Sequence, residues 1–557
     1  MKFPQGRAGT GRLQAKQIAL GCAIVLAFSG QAQAQPLHSH AGLAGGMSVD
    51  AVHAGDVSFA NSGAPAAQTA FLSGLALLHD FEYERAAEAF RRAQAADPGF
   101  AMAYWGEAMT YNHPVWMEQD LTAGRAALAK LGPNPGARLA KAATPRERAY
   151  LAAVEILYGE GTKEVRDFRY ADAMAALHAN YPDDVDGAAL YALSLLGTSH
   201  EGRDFAIYMK SAALLEEVYP THPRHPGVLH YMIHSYDDPI HAPLGLRAAK
   251  RYGLLAPDAP HALHMTSHIF IALGMWDEVI AANQNALRVG DAMRASRGRP
   301  PLACGHAVNW LMYAYLQERR DAEAAASLAR CRAAAMAELA ASHPAGADPD
   351  RSAIGSYVFM RLMQTVETGH RDAVQAPALP AADYASPTFN DAYGEAIAAL
   401  RANDVERLKA AAARLATLAP SVRAELSAEG DVIRADREGV EVMVDEMAAA
   451  ARIRAGDTEA GLAALRKTAE RESDMPMEFG PPAVALPTWE LLGDELLRAG
   501  HPAEAVRAFR SALARAPGRT LSLQGLARSA DLAGDASAAA KARTELARYP
   551  RGGQGGR

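Results

Sequence analysis

This 557-residue chain lacks a basic block: 63 acidic residues stand against 56 lysines and arginines, and the net charge is −7. An acidic chain without such a block is a poor candidate for nucleic-acid binding. The sequence also lacks a P-loop, a dinucleotide-binding fingerprint and a G-x-S-x-G elbow, and strand-like runs are few. These absences argue against a cofactor enzyme of a familiar α/β type.

Aromatic residues are scarce at 7%, whereas half of all residues are apolar. The chain is therefore neither a disordered protein of low hydrophobicity nor a polytopic membrane protein. Alanine is abundant, for example in the runs 410–413 and 538–540, and 31 prolines punctuate the alanine-rich stretches. Because alanine has the highest helix propensity and proline ends helices, this pattern predicts many short helices.

The amino terminus has the pattern of a secretory signal peptide. Basic residues precede an apolar stretch at 18–28 that is too short to span a bilayer, and Ala32-Gln33-Ala34 forms an A-x-A cleavage site. We expect cleavage after Ala34, a periplasmic or secreted protein, and no transmembrane segment in the mature chain. A retained membrane anchor is the alternative, and a lipoprotein attached through Cys22 is a weaker one.

A helical repeat pattern occurs at both ends of the mature chain. Small and large residues recur at fixed spacing in Trp489, Leu492, Gly493, Leu496, Gly500, Ala505, Phe509, Ala512 and Pro517, and again in Gly74, Leu77, Ala86, Phe90, Ala93 and Pro98. The pattern resembles the tetratricopeptide repeat (TPR), a 34-residue helix-turn-helix, as found in exported bacterial TPR proteins. The resemblance implies an all-α fold, a right-handed α-solenoid of stacked hairpins with a concave groove for a protein or peptide ligand.

The register of these repeats divides the chain into segments. We expect one elongated solenoid, bent at a Pro/Ala-rich linker over 376–387. The predicted segments are a signal peptide (1–34), a disordered linker (35–64), a first TPR solenoid with a His-rich groove (65–345), a helix plus linker (346–387), degenerate helical repeats (388–484), carboxyl-terminal TPR repeats (485–550) and a disordered tail (551–557).

Cys304 and Cys331 remain after signal cleavage, in a compartment that permits disulfides. Cys304 precedes the first helix of one predicted hairpin, and Cys331 lies near the end of the second helix. Those ends are neighbours in an antiparallel hairpin, so we predict a disulfide between them. Two unpaired buried thiols are the alternative.

Histidines form two pairs in the same register. His230 and His234 are four residues apart, as are His264 and His268, so each pair shares one helix face. One repeat length of 34 residues maps the first pair onto the second, which predicts equivalent positions on neighbouring helices. Such helices lie about 8 to 10 Å apart, so the four imidazoles are candidates to converge on one metal ion.

Further polar residues extend this patch. The TPR resemblance implies that the first helix of each hairpin lines the groove, and it adds His261, His306, Asn309 and Tyr313 to the four histidines. Asp237, Asp238 and His241 follow the first pair closely enough to serve as additional or supporting ligands.

Three interpretations of the patch remain open. Imidazole suits Zn, Cu or Fe, so a transition-metal site is one; neither pair contains the glutamate of an H-E-x-x-H peptidase. An anionic or peptide ligand held by imidazoles is the second, and a structural role is the third. The corresponding functions are an envelope scaffold with a His-rich groove, a His-ligated metalloenzyme whose catalytic residues are unknown, and a plain protein adaptor.

The stretch 475–482, Met-Pro-Met-Glu-Phe-Gly-Pro-Pro, is held extended by its prolines. It either covers the groove or merely connects two stacks of repeats.

Overall fold

The structure is a computed structural model that describes residues 53–341, 352–371, 379, 384–428 and 434–549. The predicted signal peptide and the carboxyl-terminal tail lie outside the described residues.

Helices dominate the described part of the chain, as the alanine-rich composition predicts. The first half contains α1 (Pro65–His79), α2 (Tyr83–Ala96), α3 (Ala101–Met109), α4 (Leu121–Leu131), α5 (Pro135–Leu139), α6 (Pro145–Leu157), α7 (Lys163–Asn180), α8 (Val185–Leu196), α9 (Phe205–Val218), α10 (Pro226–Tyr236), α11 (Ala242–Leu255), α12 (Pro260–Ala272) and α13 (Trp276–Ser296). Two-residue strands β1 (Asn112–His113) and β2 (Glu118–Gln119) pair in antiparallel fashion between α3 and α4.

The second half continues with helices alone among its described residues. They are α14 (His306–Gln317), α15 (Asp321–Leu339), α16 (Ala353–Thr368), α17 (Ala385–Arg401), α18 (Val405–Ala428), α19 (Arg434–Arg454), α20 (Thr458–Ser473), α21 (Thr488–Arg498), α22 (Pro502–Arg515), α23 (Thr520–Leu532) and α24 (Ala536–Leu546). Consecutive helices pack as hairpins, and hairpins pack on their neighbours. The predicted all-α solenoid of helical hairpins is confirmed.

Glycine and phenylalanine at the repeat positions explain why the hairpins pack closely. Phe90 is fully buried, and its ring lies so near Gly74 and Gly106 that a Cβ atom there would come within 3.0 and 2.3 Å of it. The carboxyl-terminal repeat uses the same arrangement, with Gly493 against Phe509. Burial of each phenylalanine ring stabilises the fold by about 1.5–3 kcal/mol.

Residues 53–64 lie on the first repeats and are not the disordered segment that their composition suggested. Phe59 is 5% exposed and packs edge-on against Phe71 and Tyr150, with ring centroids 5.5 and 5.3 Å apart. A buried aromatic anchor offsets the entropy of ordering the segment, and sequence polarity alone does not reveal it.

The carboxyl-terminal hairpins fold back onto the middle of the chain, so the solenoid is not simply elongated. Arg519 is fully buried. It forms a bidentate ion pair with Glu490 and a single-contact ion pair with Glu367, and it donates to the Tyr313 hydroxyl at 3.1 Å. Nearby, Trp276 donates its indole N–H to the Gly518 carbonyl at 3.1 Å. The contacts of Arg519 with Tyr313 and of Gly518 with Trp276 join segments that are 206 and 242 residues apart.

Cys304 and Cys331 form a disulfide across the α14–α15 hairpin, over a separation of 27 residues. None of the described helices is both long and apolar enough to cross a membrane.

Candidate metal centre

Helices α10 and α12 carry the two histidine pairs. Each helix begins with a proline, Pro226 or Pro260, whose missing N–H costs nothing in the first turn and whose fixed φ starts the helix. The two helices are in contact, so the predicted proximity of the pairs is observed. The four imidazoles are buried, with exposed fractions between 0 and 4%.

Six histidines form two adjacent triads, where the sequence suggested four around one ion. The first triad is His230, His234 and His261, and the second triad is His264, His268 and His306; within each triad, the candidate ligand atoms lie within 4.8 Å of one another. The triads are neighbours, since the His234 and His268 ring centroids are 5.5 Å apart. The division arises from two histidines in the first turns of α12 and α14. The His261 ring centroid lies 5.2 Å from that of His230, and the His306 ring centroid lies 4.7 Å from that of His264. Both distances are shorter than the 5.5 Å between His234 and His268, which belong to different pairs.

The Nδ1 atoms of His230 and His264 are each held by a fixed acceptor. His230 Nδ1 donates to the His79 carbonyl at 2.6 Å, and His264 Nδ1 donates to Asn283 Oδ1 at 2.6 Å. Asn283 is oriented in turn, because its amide donates to the Val279 carbonyl at 2.9 Å. With Nδ1 protonated, each neutral ring presents the lone pair of Nε2, which is how metal-binding histidines are usually held.

Asp237 supports both triads. Its Oδ2 accepts from His268 Nδ1 at 2.9 Å and lies 3.4 Å from His234 Nδ1. The carboxylate is buried and paired with the guanidinium of Arg203, and this pairing together with the two imidazoles holds its pKa far below the ordinary value. Asp237 is therefore ionised, and it orients the rings while raising their basicity.

Four Nε2 atoms are buried without a hydrogen-bond partner, those of His230, His234, His261 and His264. A buried polar atom without a partner is rare and costs about 1–3 kcal/mol. Three of these atoms belong to the first triad and one, His264 Nε2, belongs to the second. Unpartnered imidazole nitrogens are donors suited to a transition-metal ion, so the residues present fit the group that the sequence suggested.

Burial keeps these imidazoles neutral. Desolvation lowers the pKa of His230, His261 and His264 well below the ordinary 6.5, and it lowers the pKa of His268 to about 4. Proximity to other imidazoles lowers each of these pKa values further. Neutral imidazole is the form that binds metal, so no proton has to be displaced near neutral pH.

The proline-fixed stretch at 475–482 covers the triads rather than merely connecting repeats. The Phe479 ring lies 4.6 Å from that of His268, and the Met477 carbonyl accepts from Arg203 Nε at 3.0 Å. We call this stretch the strap. Trp310 packs beside it, 4.5 Å from the His268 ring, so aromatic groups shield the second triad from water.

The other predicted groove residues serve different contacts. His241 pairs with Asp238 at 2.8 Å, away from the triads. Asn309 Oδ1 accepts from the Ser356 hydroxyl at 2.7 Å, and Tyr313 contacts Arg519. These residues support the helices or the closure of the solenoid.

A further cluster, His79, Asp186 and His225, is explained by hydrogen bonds alone. The Val228 N–H points to His225 Nδ1 at 3.4 Å, and both imidazoles donate through Nε2 to Asp186 Oδ1, at 3.0 and 3.2 Å. His79 Nδ1 accepts from the Tyr231 hydroxyl at 2.9 Å. With every ring nitrogen engaged, this cluster is structural.

Sequence reasoning missed two groups that support the triads, Asn283 and the His79 carbonyl. Asn283 lies 19 residues after His264, on the partner helix of the same hairpin, where helix pairing could have suggested it. The His79 carbonyl comes from a repeat 151 residues away, and no local pattern marks it.

No protein-family model matches the sequence, and no curated protein matches it. Similar solved structures include the APC/C hetero-tetramer Cut9-Hcn1 (12% identity, TM-score 0.32, covering 85% of this chain and 78% of that chain) and the P58(IPK) TPR domain (10%, 0.23, 84% and 98%). Naa15/Naa10 bound to HypK-THB is another (12%, 0.22, 88% and 64%). Likenesses of this size carry no information about ligands or activity.

Proposed function

We propose that this protein is an exported α-solenoid that holds a two-ion transition-metal centre, with one ion in each histidine triad. The observation that carries the proposal is the set of four unpartnered, buried Nε2 atoms, of which three lie in the first triad and one in the second. The braced Nδ1 atoms of His230, His264 and His268 support it, because they fix the tautomer that binds metal.

Copper, zinc and iron are the candidate ions, since each accepts an all-imidazole donor set. Asp237 supplies negative charge next to the centre without being needed as a ligand. The expected exported location is supported by the Cys304–Cys331 disulfide, a bond typical of oxidising compartments.

A metalloenzyme is the second candidate function. Three protein ligands per ion leave a coordination position for water or substrate, which is the arrangement of catalytic rather than closed structural sites. A protein or peptide ligand held directly by the histidines is less favoured, because Phe479 and the strap already cover the second triad.

Metal analysis of the native protein tests the proposal. We expect about two ions per chain in the wild type and one in each of two variants, His230→Ala/His234→Ala and His264→Ala/His268→Ala. His222→Ala removes an exposed histidine and is the matched control, which should keep both ions. Equal metal content in all four proteins would reject the centre.

A further inference from the structure

The first turn of α14 carries His306, which completes the second triad. The His306 ring centroid lies 4.7 Å from that of His264 and 6.1 Å from that of His268. His264 and His268 both belong to α12. The second triad is therefore complete only while the start of α14 stays in place against α12.

The start of α14 has no side-chain cap. Gly305 stands at the N-cap position with φ of 104°, a backbone conformation that favours glycine, and glycine has no side chain to accept from the first turn. The connection before it is exposed over residues 297–302. Because the first N–H groups of a helix lack partners within the helix, such an end frays readily. His306 is the first residue of this end.

The Cys304–Cys331 disulfide anchors this uncapped end. Cys304 lies two residues before His306, and Cys331 belongs to the neighbouring helix α15. Cys331 is fully buried, so the bond ties the chain just before α14 to the interior of the solenoid.

Ser356 of α16 joins the disulfide to the first turn of α14. Its hydroxyl oxygen lies 3.6 Å from Cys331 Sγ and accepts from the Gly305 N–H at 3.0 Å. The same hydroxyl donates to Asn309 Oδ1 at 2.7 Å. Ser356 is fully buried, so the disulfide, the serine and the start of α14 form one packed unit that sets the position of His306.

The first triad is held by other contacts. The His261 backbone N–H donates to Glu82 Oε1 at 3.1 Å, and His230 Nδ1 donates to the His79 carbonyl at 2.6 Å. Both contacts are noncovalent, and neither involves α14 or α15. Loss of the disulfide should therefore affect the second triad and spare the first.

We propose that the Cys304–Cys331 disulfide is a redox-sensitive positioning device for the second triad. The intact bond holds His306 against the histidine pair of α12. Reduction releases the start of α14 and weakens metal binding at the second triad alone. The inference rests on the proposed function, because it requires the second triad to bind a metal ion.

The redox step is a thiol–disulfide exchange with a dithiol. Two electrons and two protons pass to the sulfurs of Cys304 and Cys331, which become thiols, while the dithiol becomes a disulfide. Cys304 is 8% exposed and borders the exposed connection, whereas Cys331 is fully buried. The reductant therefore attacks from the Cys304 side.

Zinc affinities of single triads test the proposal. His230→Ala/His234→Ala is the second-triad protein, because it keeps only that triad intact, and His264→Ala/His268→Ala is the first-triad protein. Titration with Zn(II) against a chromophoric chelator measures the affinity of each protein. Loss of the disulfide should weaken zinc binding about 10- to 100-fold in the second-triad protein, the range for a group that positions a ligand, and should leave the first-triad protein unchanged.

The disulfide is removed in two ways. Cys304→Ala/Cys331→Ala removes it from each protein without leaving thiols that bind zinc themselves. Dithiothreitol reduces it, and the reagent is removed under nitrogen before the titration. Reduction should weaken the second-triad protein as much as the alanine substitutions do, and it should change nothing once those substitutions are present.

His306→Ala separates positioning from a general loss of stability. In the second-triad protein with this substitution, zinc binding by the remaining pair should no longer depend on the disulfide, since the group that the bond positions is gone. Adding His222→Ala instead, which removes an exposed histidine, should leave the dependence in place.

Three results overturn the proposal while the metal centre stands. They are equal zinc affinity with and without the disulfide in the second-triad protein, an equal loss in the first-triad protein, and a dependence that persists with His306→Ala. Failure of the oxidised second-triad protein to bind zinc is a different result, because it rejects the second ion of the proposed function and the redox dependence together.

Discussion

Asp237 Oδ2 accepts a hydrogen bond from His268 Nδ1 at 2.9 Å, while its neighbour Asp238 pairs with His241 instead. Two adjacent, fully buried carboxylates thus have different tasks. Only one of them stands behind the triads.

Asp237→Asn should therefore weaken metal binding about 10- to 100-fold, because the amide removes the charge that raises imidazole basicity. Competition with a chromophoric chelator measures the affinity. Asp238→Asn is the matched control and should leave it unchanged. If both variants weaken metal binding equally, the effect comes from general disruption, and the role assigned to Asp237 is wrong.

The metal-free protein should lose stability as the pH falls below 6.5. The folded-state pKa values of His230, His261 and His264 are lowered, and that of His268 is about 4, so the unfolded chain takes up protons first. As the pH falls below the unfolded-state pKa, each histidine that stays neutral in the folded protein lowers the free energy of unfolding by about 1.4 kcal/mol per pH unit. This loss ends when the pH reaches the folded-state pKa of that histidine.

Urea unfolding in the presence of a chelator, at several pH values, measures this slope. His261→Phe has one such histidine fewer, so its stability should fall less steeply by about 1.4 kcal/mol per pH unit. Parallel curves for the variant and the wild type would contradict a neutral His261 in the fold.

Arg519→Met should open the closure between the carboxyl-terminal hairpins and the middle of the chain. It leaves the carboxylates of Glu367 and Glu490 buried without their cation, a loss of about 3–5 kcal/mol. Small-angle scattering should show a larger radius of gyration. Arg528→Met is the control, because it removes the surface ion pair with Asp494, in which the arginine side chain is 63% exposed. It should change the free energy of unfolding by less than about 1 kcal/mol.

The triple change Arg519→Met/Glu367→Gln/Glu490→Gln distinguishes the cause, since it removes the unpaired charges as well. Partial recovery of stability over Arg519→Met alone is expected. No recovery would mean that the packing of the arginine side chain, rather than its charge, holds the closure.

Reduction of the Cys304–Cys331 disulfide should lower stability by about 3.5 kcal/mol, from the entropy of a loop closed over 27 residues. Unfolding of the Cys304→Ala/Cys331→Ala variant measures this loss. Adding reductant should shift the wild type toward the variant and leave the variant itself unchanged; a reductant effect on the variant would point to another cause.

The sequence predicted the helices, the hairpin packing and the proximity of the two histidine pairs, because these depend on local propensity and on a 34-residue register. It did not predict the division into triads. His261 and His306 occupy first turns, and their distances to the pairs depend on how much each hairpin rotates against the next.

Long-range contacts were beyond local patterns for the same reason. Phe479 reaches His268 from a different part of the solenoid, and Arg519 pairs with Glu367 across 152 residues. Such contacts follow from the curvature of the whole stack, to which every hairpin contributes a small angle.

The strap has a consequence for assembly. All six histidines of the two triads precede Phe479 in the chain, so they are synthesised before the segment that covers them. If the triads bind metal as proposed, an ion that enters early would meet an open site, whereas an ion that arrives later would have to wait for the strap to detach. Under that proposal, the order of the segments along the chain would give the protein a period of easy metal loading during its synthesis and slow metal exchange afterwards.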